Sequence, residues 1–188
     1  MTSVEALDAF RKTGALLEGH FILRSGLHSR QFFQCALVLQ YSKIAADLCQ
    51  ALAQKVNATE VDAVISPALG GIIVGQEIAR ALGKRHIFAE KENGKLVLRR
   101  GFTISPGERY LIAEDVVTQG GRVRETIEIV TSAGGKISAV AVIVDRSSTT
   151  IDFRFPFHSL VKMNVETFDP QKLPPDLVAV PAVKPGSR

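Results

Sequence analysis

Glu114 and Asp115 stand side by side at the end of an apolar run, and Val116, Val117, Thr118, Gln119, Gly120, Gly121 and Arg122 follow them into a helical pattern. Residues of these types at this spacing can hold a phosphorylated sugar. Carboxylates accept hydrogen bonds from sugar hydroxyls but repel a phosphate. The backbone N–H groups of a short loop, and of the helix start behind it, attract one. Gly120 and Gly121 let the backbone come close and take positive φ. The acids must therefore face hydroxyls, or a metal bridging to a second phosphate, while the loop takes the phosphate. A ribose 5-phosphate has that layout. The string contains neither G-x-x-x-x-G-K-[ST] nor G-x-G-x-x-G, which separates it from the common nucleotide loops. The plainer alternative is a strand ending in two solvated acids before a glycine turn.

Four other groups of residues could serve such a site. Ser66-Pro67-Ala68-Leu69-Gly70-Gly71 is a second strand-to-helix loop, for which a simple tight turn is the alternative. Arg146 follows an apolar strand, and its planar guanidinium matches a carboxylate in bidentate fashion, with a surface ion pair as the alternative. Phe32 and Phe33 are adjacent, so on a strand they face opposite sides and one of them is as well placed in a core. Lys91, Lys95, Arg99 and Arg100 share one short segment that reads equally as a charged, exposed hairpin. His20 and His28 stay out of the catalytic set, since a lone His more often packs or meets water.

These residues need a scaffold, and the chain's rhythm supplies one. Residues 1–13 read as a short amphipathic helix ended by Gly14. Residues 14–40 mix β-formers with a turn signal at Ser25-Gly26, an irregular or hairpin segment. A helix follows over 42–57, with Ser42 as its N-cap. Beyond it the pattern becomes strand, loop, helix. Strands are expected at 61–66, 85–90, 109–118, 136–147 and 157–165, a hairpin arm at 95–104, and helices at 72–82 and 122–133. Unbroken Val/Ile/Leu/Ala strands are buried on both faces, as in a mainly parallel α/β sheet flanked by helices. The chain reads as one domain over 1–188, with a core at about 42–165 and a proline-rich tail at 166–188.

Composition narrows the function classes. A net charge of +4 suits small anionic partners and falls short of a nucleic-acid face. Aromatic residues are 6% of the chain, with no Trp, so stacking platforms for single strands are scarce. Cys35 and Cys49 form no C-x-x-C or Cys/His metal pattern and read as small buried hydrophobes. No signal-peptide core and no membrane-length apolar run is present, so a cytoplasmic protein is expected.

LIAEDVVTQGG resembles the phosphoribosyl pyrophosphate motif of the type I phosphoribosyltransferases: four apolar residues, two acids, two apolar residues, then Thr and small residues. Three more segments, in matching order, resemble the orotate phosphoribosyltransferases of that family. GHFILRSGLHSRQFF is similar to their N-terminal hood, ISPALGGI to their pyrophosphate loop, and VDRS to the strand end whose Arg holds the orotate carboxylate.

The resemblance implies a type I phosphoribosyltransferase fold with a small N-terminal hood at about 14–40. It implies that Glu114 and Asp115 fix the ribose. Val116 through Arg122 would hold its phosphate, with Thr118 also reaching orotate. Leu69 and Gly70 would touch pyrophosphate, Phe32, Phe33 and Arg24 would lie near the base, and Arg146 would bind its carboxylate. The chain departs from the family at the mobile cationic loop, which is short here and lacks a His, and at Gly70, where some members carry Lys. Lys91 is then the first candidate cation for pyrophosphate, with Lys95, Arg99 and Arg100 behind it.

The implied reaction joins orotate to the ribose 5-phosphate of phosphoribosyl pyrophosphate in pyrimidine synthesis, with Mg²⁺ held mainly on the donor's pyrophosphate rather than by the protein. The residues 91–103 would act as a lid, and the protein would be a homodimer. Two alternatives stay open: a phosphoribosyltransferase for another base, and a non-catalytic donor-binding regulator.

Overall fold

The computed structural model describes residues 1–23 and 25–185. Helix α1 (Ser3–Lys12) starts on a capping box: Thr2 N donates to Glu5 Oε2 at 2.7 Å, and Glu5 N to Thr2 Oγ1 at 3.3 Å. Two of the orphan donors at the helix start are thus satisfied reciprocally. Its buried face carries Ala6 and Phe10.

Strands β1 (Leu16–Ile22) and β2 (His28–Phe33) then form an antiparallel pair that stands apart from the main sheet. Helix α2 (Cys35–Leu39) follows, inside the segment expected to be irregular. Five residues are too few to leave a periodic signature. Helix α3 (Ser42–Ala53) is capped by Tyr41, with no side-chain cap bond, so Ser42 is the first helical residue and not the N-cap. The helix also stops before 57, because Asn57 caps a separate 3₁₀ turn by accepting from Thr59 N at 3.3 Å.

The core sheet contains β3 (Ala63–Pro67), β4 (Arg85–Glu92), β5 (Lys95–Leu98), β6 (Arg109–Val117), β7 (Lys136–Asp145) and β8 (Phe157–Lys162), in the order β5-β4-β3-β6-β7-β8. Every neighbouring pair is parallel except β4 with β5. Alternation along the strands sends side chains to two apolar layers. Val64, Leu111, Ala141 and Ile143 join α1, α3 and α4 (Gly70–Leu82) on one face. Ile65, Ile112, Val140 and Val142 join α5 (Gly121–Ser132) on the other. Each of these residues is fully buried, and truncating Ile65 or Leu111 to Ala would cost about 2–5 kcal/mol.

Cys35 and Cys49 are buried in the first layer, and burial raises both thiols above their usual range. The described part of the tail, 166–185, is tied down. Its short helix α6 (Pro175–Val178) presents Asp176, which accepts from Arg30 Nε at 2.7 Å, and single bridges join Phe21 to Val183 and His28 to Phe168. No helix among the described residues is long and apolar enough to cross a membrane.

The order of strands reverses between β3 and β6. From β3 the chain winds outward to β4 and β5, then returns to place β6 on the other side of β3. In open α/β sheets, ligands bind in the crevice beyond the strand ends at such a reversal. Both candidate loops leave the sheet there.

Candidate active site

The loop after β3 turns at once into α4, which begins at Gly70, two residues earlier than expected. The Ala68–Leu69 peptide is cis and Leu69 is 83% exposed at the loop's apex. Behind the loop, Ser66 is buried and its Oγ meets His86 Nε2 at 2.6 Å. Burial pulls the His86 imidazole down to about 4, so it is neutral there. A Cβ on Gly71 would stand 3.0 Å from Ser66 Cβ and 3.1 Å from Glu114 Oε1, so the Gly pair lets α4 start close against β6.

The loop after β6 has the features of an anion cradle. Gly120 is its last residue, at φ 78°, the left-handed conformation that glycine takes without a Cβ penalty. Among the described residues, none of the N–H groups of 118–122 donates to a backbone carbonyl. They sit at the positive end of α5 and are free to meet an anion.

The two acids divide their work because neighbouring strand residues face opposite ways. Glu114 lines a cavity of about 380 Å³ together with Val116, Val117, Thr118, Gln119, Gly120, Gly121, Arg122, Val123 and Glu125. Asp115 lines an adjoining one of about 810 Å³ with Gln34, Ala36, Leu39, Ala68, Leu69, Gly70, Ile73, Glu90, Lys91 and Arg122. Arg122 belongs to both, so the cavities meet at its side chain.

Glu114 is 2% exposed and its Oε2 has no partner. Burial, and then the neighbouring Asp115, push its carboxyl up to about 9. Its Oε1 accepts from Asp115 N at 3.2 Å, and Asp115 Oδ1 accepts from Val116 N at 2.8 Å.

Arg146 follows β7, where its N–H donates to Val117 O at 2.8 Å and so anchors it beside the loop after β6. Its Nε is buried without a partner, and burial lowers the guanidinium from its usual range. An unpaired buried donor is costly unless something meets it.

The cationic segment divides unevenly. Lys91 reaches the larger cavity. Arg99 and Arg100 are committed to Glu92 at 3.3 Å and Glu90 at 2.7 Å. Lys95 is exposed on β5 and lines neither cavity.

Phe33 is 6% exposed and packs edge-on against Phe10 with centroids 4.9 Å apart, so its ring is committed to the core. Phe32, on the opposite face of β2, is half-buried against Phe21 at 5.8 Å. Neither Phe32 nor Arg146 lines the two cavities, and Arg24 lies outside the described residues. Gln34, Ala36, Leu39 and Ile73 complete the walls of the larger cavity, and no sequence motif marked them; Glu90, Val123 and Glu125 lie within the strand expected at 85–90 and the helix expected at 122–133, which assign them no role.

Comparison with known proteins agrees with this geometry. A family profile described as "Phosphoribosyl transferase domain" matches residues 38–173. The chain is 50% identical over 188 residues to the orotate phosphoribosyltransferase of Desulforamulus reducens, covering 100% of this chain and 98% of that one. Among solved structures it is similar to the orotate phosphoribosyltransferase of Aeropyrum pernix, with TM-score 0.70 and 24% identity over 83% of this chain and 92% of that one. It is also similar to the adenine phosphoribosyltransferase of Rhodothermus marinus, with TM-score 0.66 and 23% identity over 85% and 99% of the two chains. The fold is therefore common to enzymes named for different bases and does not choose among them.

Proposed function

This chain belongs to the phosphoribosyl transferase family and, within it, to the orotate phosphoribosyltransferases, and from that membership we propose that it moves the ribose 5-phosphate group of phosphoribosyl pyrophosphate onto orotate, releasing pyrophosphate. The observation that carries the reading is the pairing of uncommitted amides at 118–122 with two acids at the end of the same strand.

In this reading, the 118–122 amides take the 5-phosphate, and Glu114 and Asp115 accept from the ribose hydroxyls. Glu114 Oε2, buried and unpartnered, suits a ribose hydroxyl, which accepts from the protonated carboxyl or donates to it once ionised. Orotate N1 attacks C1 of the ribose as the bond to pyrophosphate breaks. Positive charge grows on the ring near the acids, and negative charge grows on the leaving group. Leu69, Gly70 and Lys91 share the larger cavity with Asp115, which suits a pyrophosphate subsite supplied with one cation. The residues 91–103 would exclude water from the activated sugar.

Arg146 is the partner for the orotate carboxylate, supported by its unpartnered buried Nε. Phe32 is the member of the Phe pair left for the base, since Phe33 packs in the core.

Mg²⁺ belongs to the same reading. Among the described residues no group of three or more His, Cys, Asp and Glu could hold an ion. The acids present fit an ion seated chiefly on the donor's phosphates, the usual arrangement for Mg²⁺. When bound, it neutralises charge on the leaving group. A cytoplasmic homodimer is also proposed, and sizing chromatography checks its assembly.

The deciding measurement follows orotate ultraviolet absorbance on adding donor and Mg²⁺. A fall that requires both is expected. Turnover of adenine or uracil in place of orotate would overturn the choice of base.

A further inference from the structure

Residues 148–156, between Ser147 and β8, carry no motif and have no part in the reaction above, yet they place a ring against the phosphate loop. Phe153 is 3% exposed and is held on edge by Phe157, with centroids 5.2 Å apart at 78°. A Cβ added to Gly120 would stand 2.8 Å from Phe153 Cε1 and 2.9 Å from Cζ. The same ring meets Arg124, whose guanidinium lies 5.3 Å from its centroid.

Gly120 and Arg124 are joined by the first hydrogen bond of α5, Arg124 N to Gly120 O at 3.0 Å. Phe153 thus touches both ends of one helical turn. Its own backbone is fixed from either side. Arg124 Nη2 donates to Asp152 O at 3.2 Å, and Asp152 Oδ1 accepts from Arg154 N at 2.7 Å.

We propose that Phe153 is a positioning residue for donor binding: its ring is the floor that holds Gly120 in its left-handed turn, so that the 118–122 amides converge on the 5-phosphate. The inference rests on the reading of 118–122 as the phosphate loop. A glycine at positive φ has wide conformational freedom, and without a surface beneath it the loop would sample many amide directions. The ring removes that freedom before the ligand arrives, which lowers the cost of binding. Only the phosphate end of the donor should feel its loss.

Phe153→Leu keeps an apolar side chain but removes the flat face. We expect the donor KM to rise on the order of tenfold, with kcat and the orotate KM within about twofold of wild type. Ribose 5-phosphate affinity, read by titration calorimetry, should fall in parallel. A general loosening would instead lower kcat and raise both KM values together, and that result overturns the proposal, as does an unchanged donor KM.

If Phe153→Leu does not fold, Arg124→Gln decides, because that side chain is exposed. A raised donor KM alone supports the floor, and an unchanged one overturns it. Wild-type protein that binds no ribose 5-phosphate would remove the phosphate-loop reading and this inference together. Wild-type binding with an equal affinity in Phe153→Leu removes this inference alone.

Discussion

Gly70 lies directly against the Asp115 carboxylate: a Cβ placed on Gly70 would stand 2.5 Å from Oδ2 and 2.7 Å from Oδ1. The close approach brings the loop after β3 to the end of β6, across the line where the strand order reverses. Asp115 is meanwhile fixed from its other side by Val116 N.

Gly70→Ala should therefore displace the acid without unfolding the protein. We expect kcat/KM to fall on the order of a hundredfold, since an error of about 1 Å at a reacting centre can cost that much. Wild-type kinetics in the variant would show that the carboxylate can move without consequence.

Asp115→Asn keeps the shape and removes the charge. Turnover should drop strongly while the melting temperature stays near that of the wild type. Unchanged steady-state rates with orotate would take Asp115 out of the mechanism.

Arg146→Ala should weaken orotate more than the donor. A charge-assisted hydrogen bond contributes about 1.5–3 kcal/mol, so a roughly ten- to hundredfold rise in the orotate KM is expected. Equal losses for orotate and donor would contradict its assignment to the carboxylate.

Glu114 makes stability depend on pH. Its carboxyl rises from an ordinary 4.5 to about 9 in the folded chain. Between those values the native state holds a proton that the unfolded chain has released. Stability from this group is thus fully present below the lower value and is lost as pH rises toward the upper one. Glu114→Gln cannot titrate, so its melting temperature relative to wild type should climb between about pH 5 and 9. A constant difference across that range would mean the acid is not held protonated.

Much of the architecture was legible from local pattern. The runs 61–66 and 109–118 announced buried parallel strands, found at Ala63–Pro67 and Arg109–Val117, because a strand covered on both faces needs apolar side chains at nearly every position. The acid pair, the loop glycines and the following helix were equally plain, since strand, turn and helix start are short-range features. The helix boundaries at Ser42 and Gly70 were less so. Whether a Ser caps a helix or begins it depends on the preceding backbone, and here Tyr41 takes the cap.

The side-chain pairings were hidden for a different reason. Phe32 and Phe33 are interchangeable as letters, and only the pairing of β2 with β1 and the packing of Phe10 sent Phe33 inward. Arg99 and Arg100 matched Lys91 in charge, yet just beyond β5 they form ion pairs with Glu92 and Glu90, while Lys91 lines the larger cavity. Phe153 belonged to no motif, and its contact with Gly120 exists because β7 lies beside β6. Residue types and spacing already specified the sheet, the phosphate loop and the chemistry expected of it. Which cation lines the cavity, which ring packs in the core and which glycine meets a ring was decided by contacts between residues far apart in the chain, and a periodicity that spans a few residues carries no record of those.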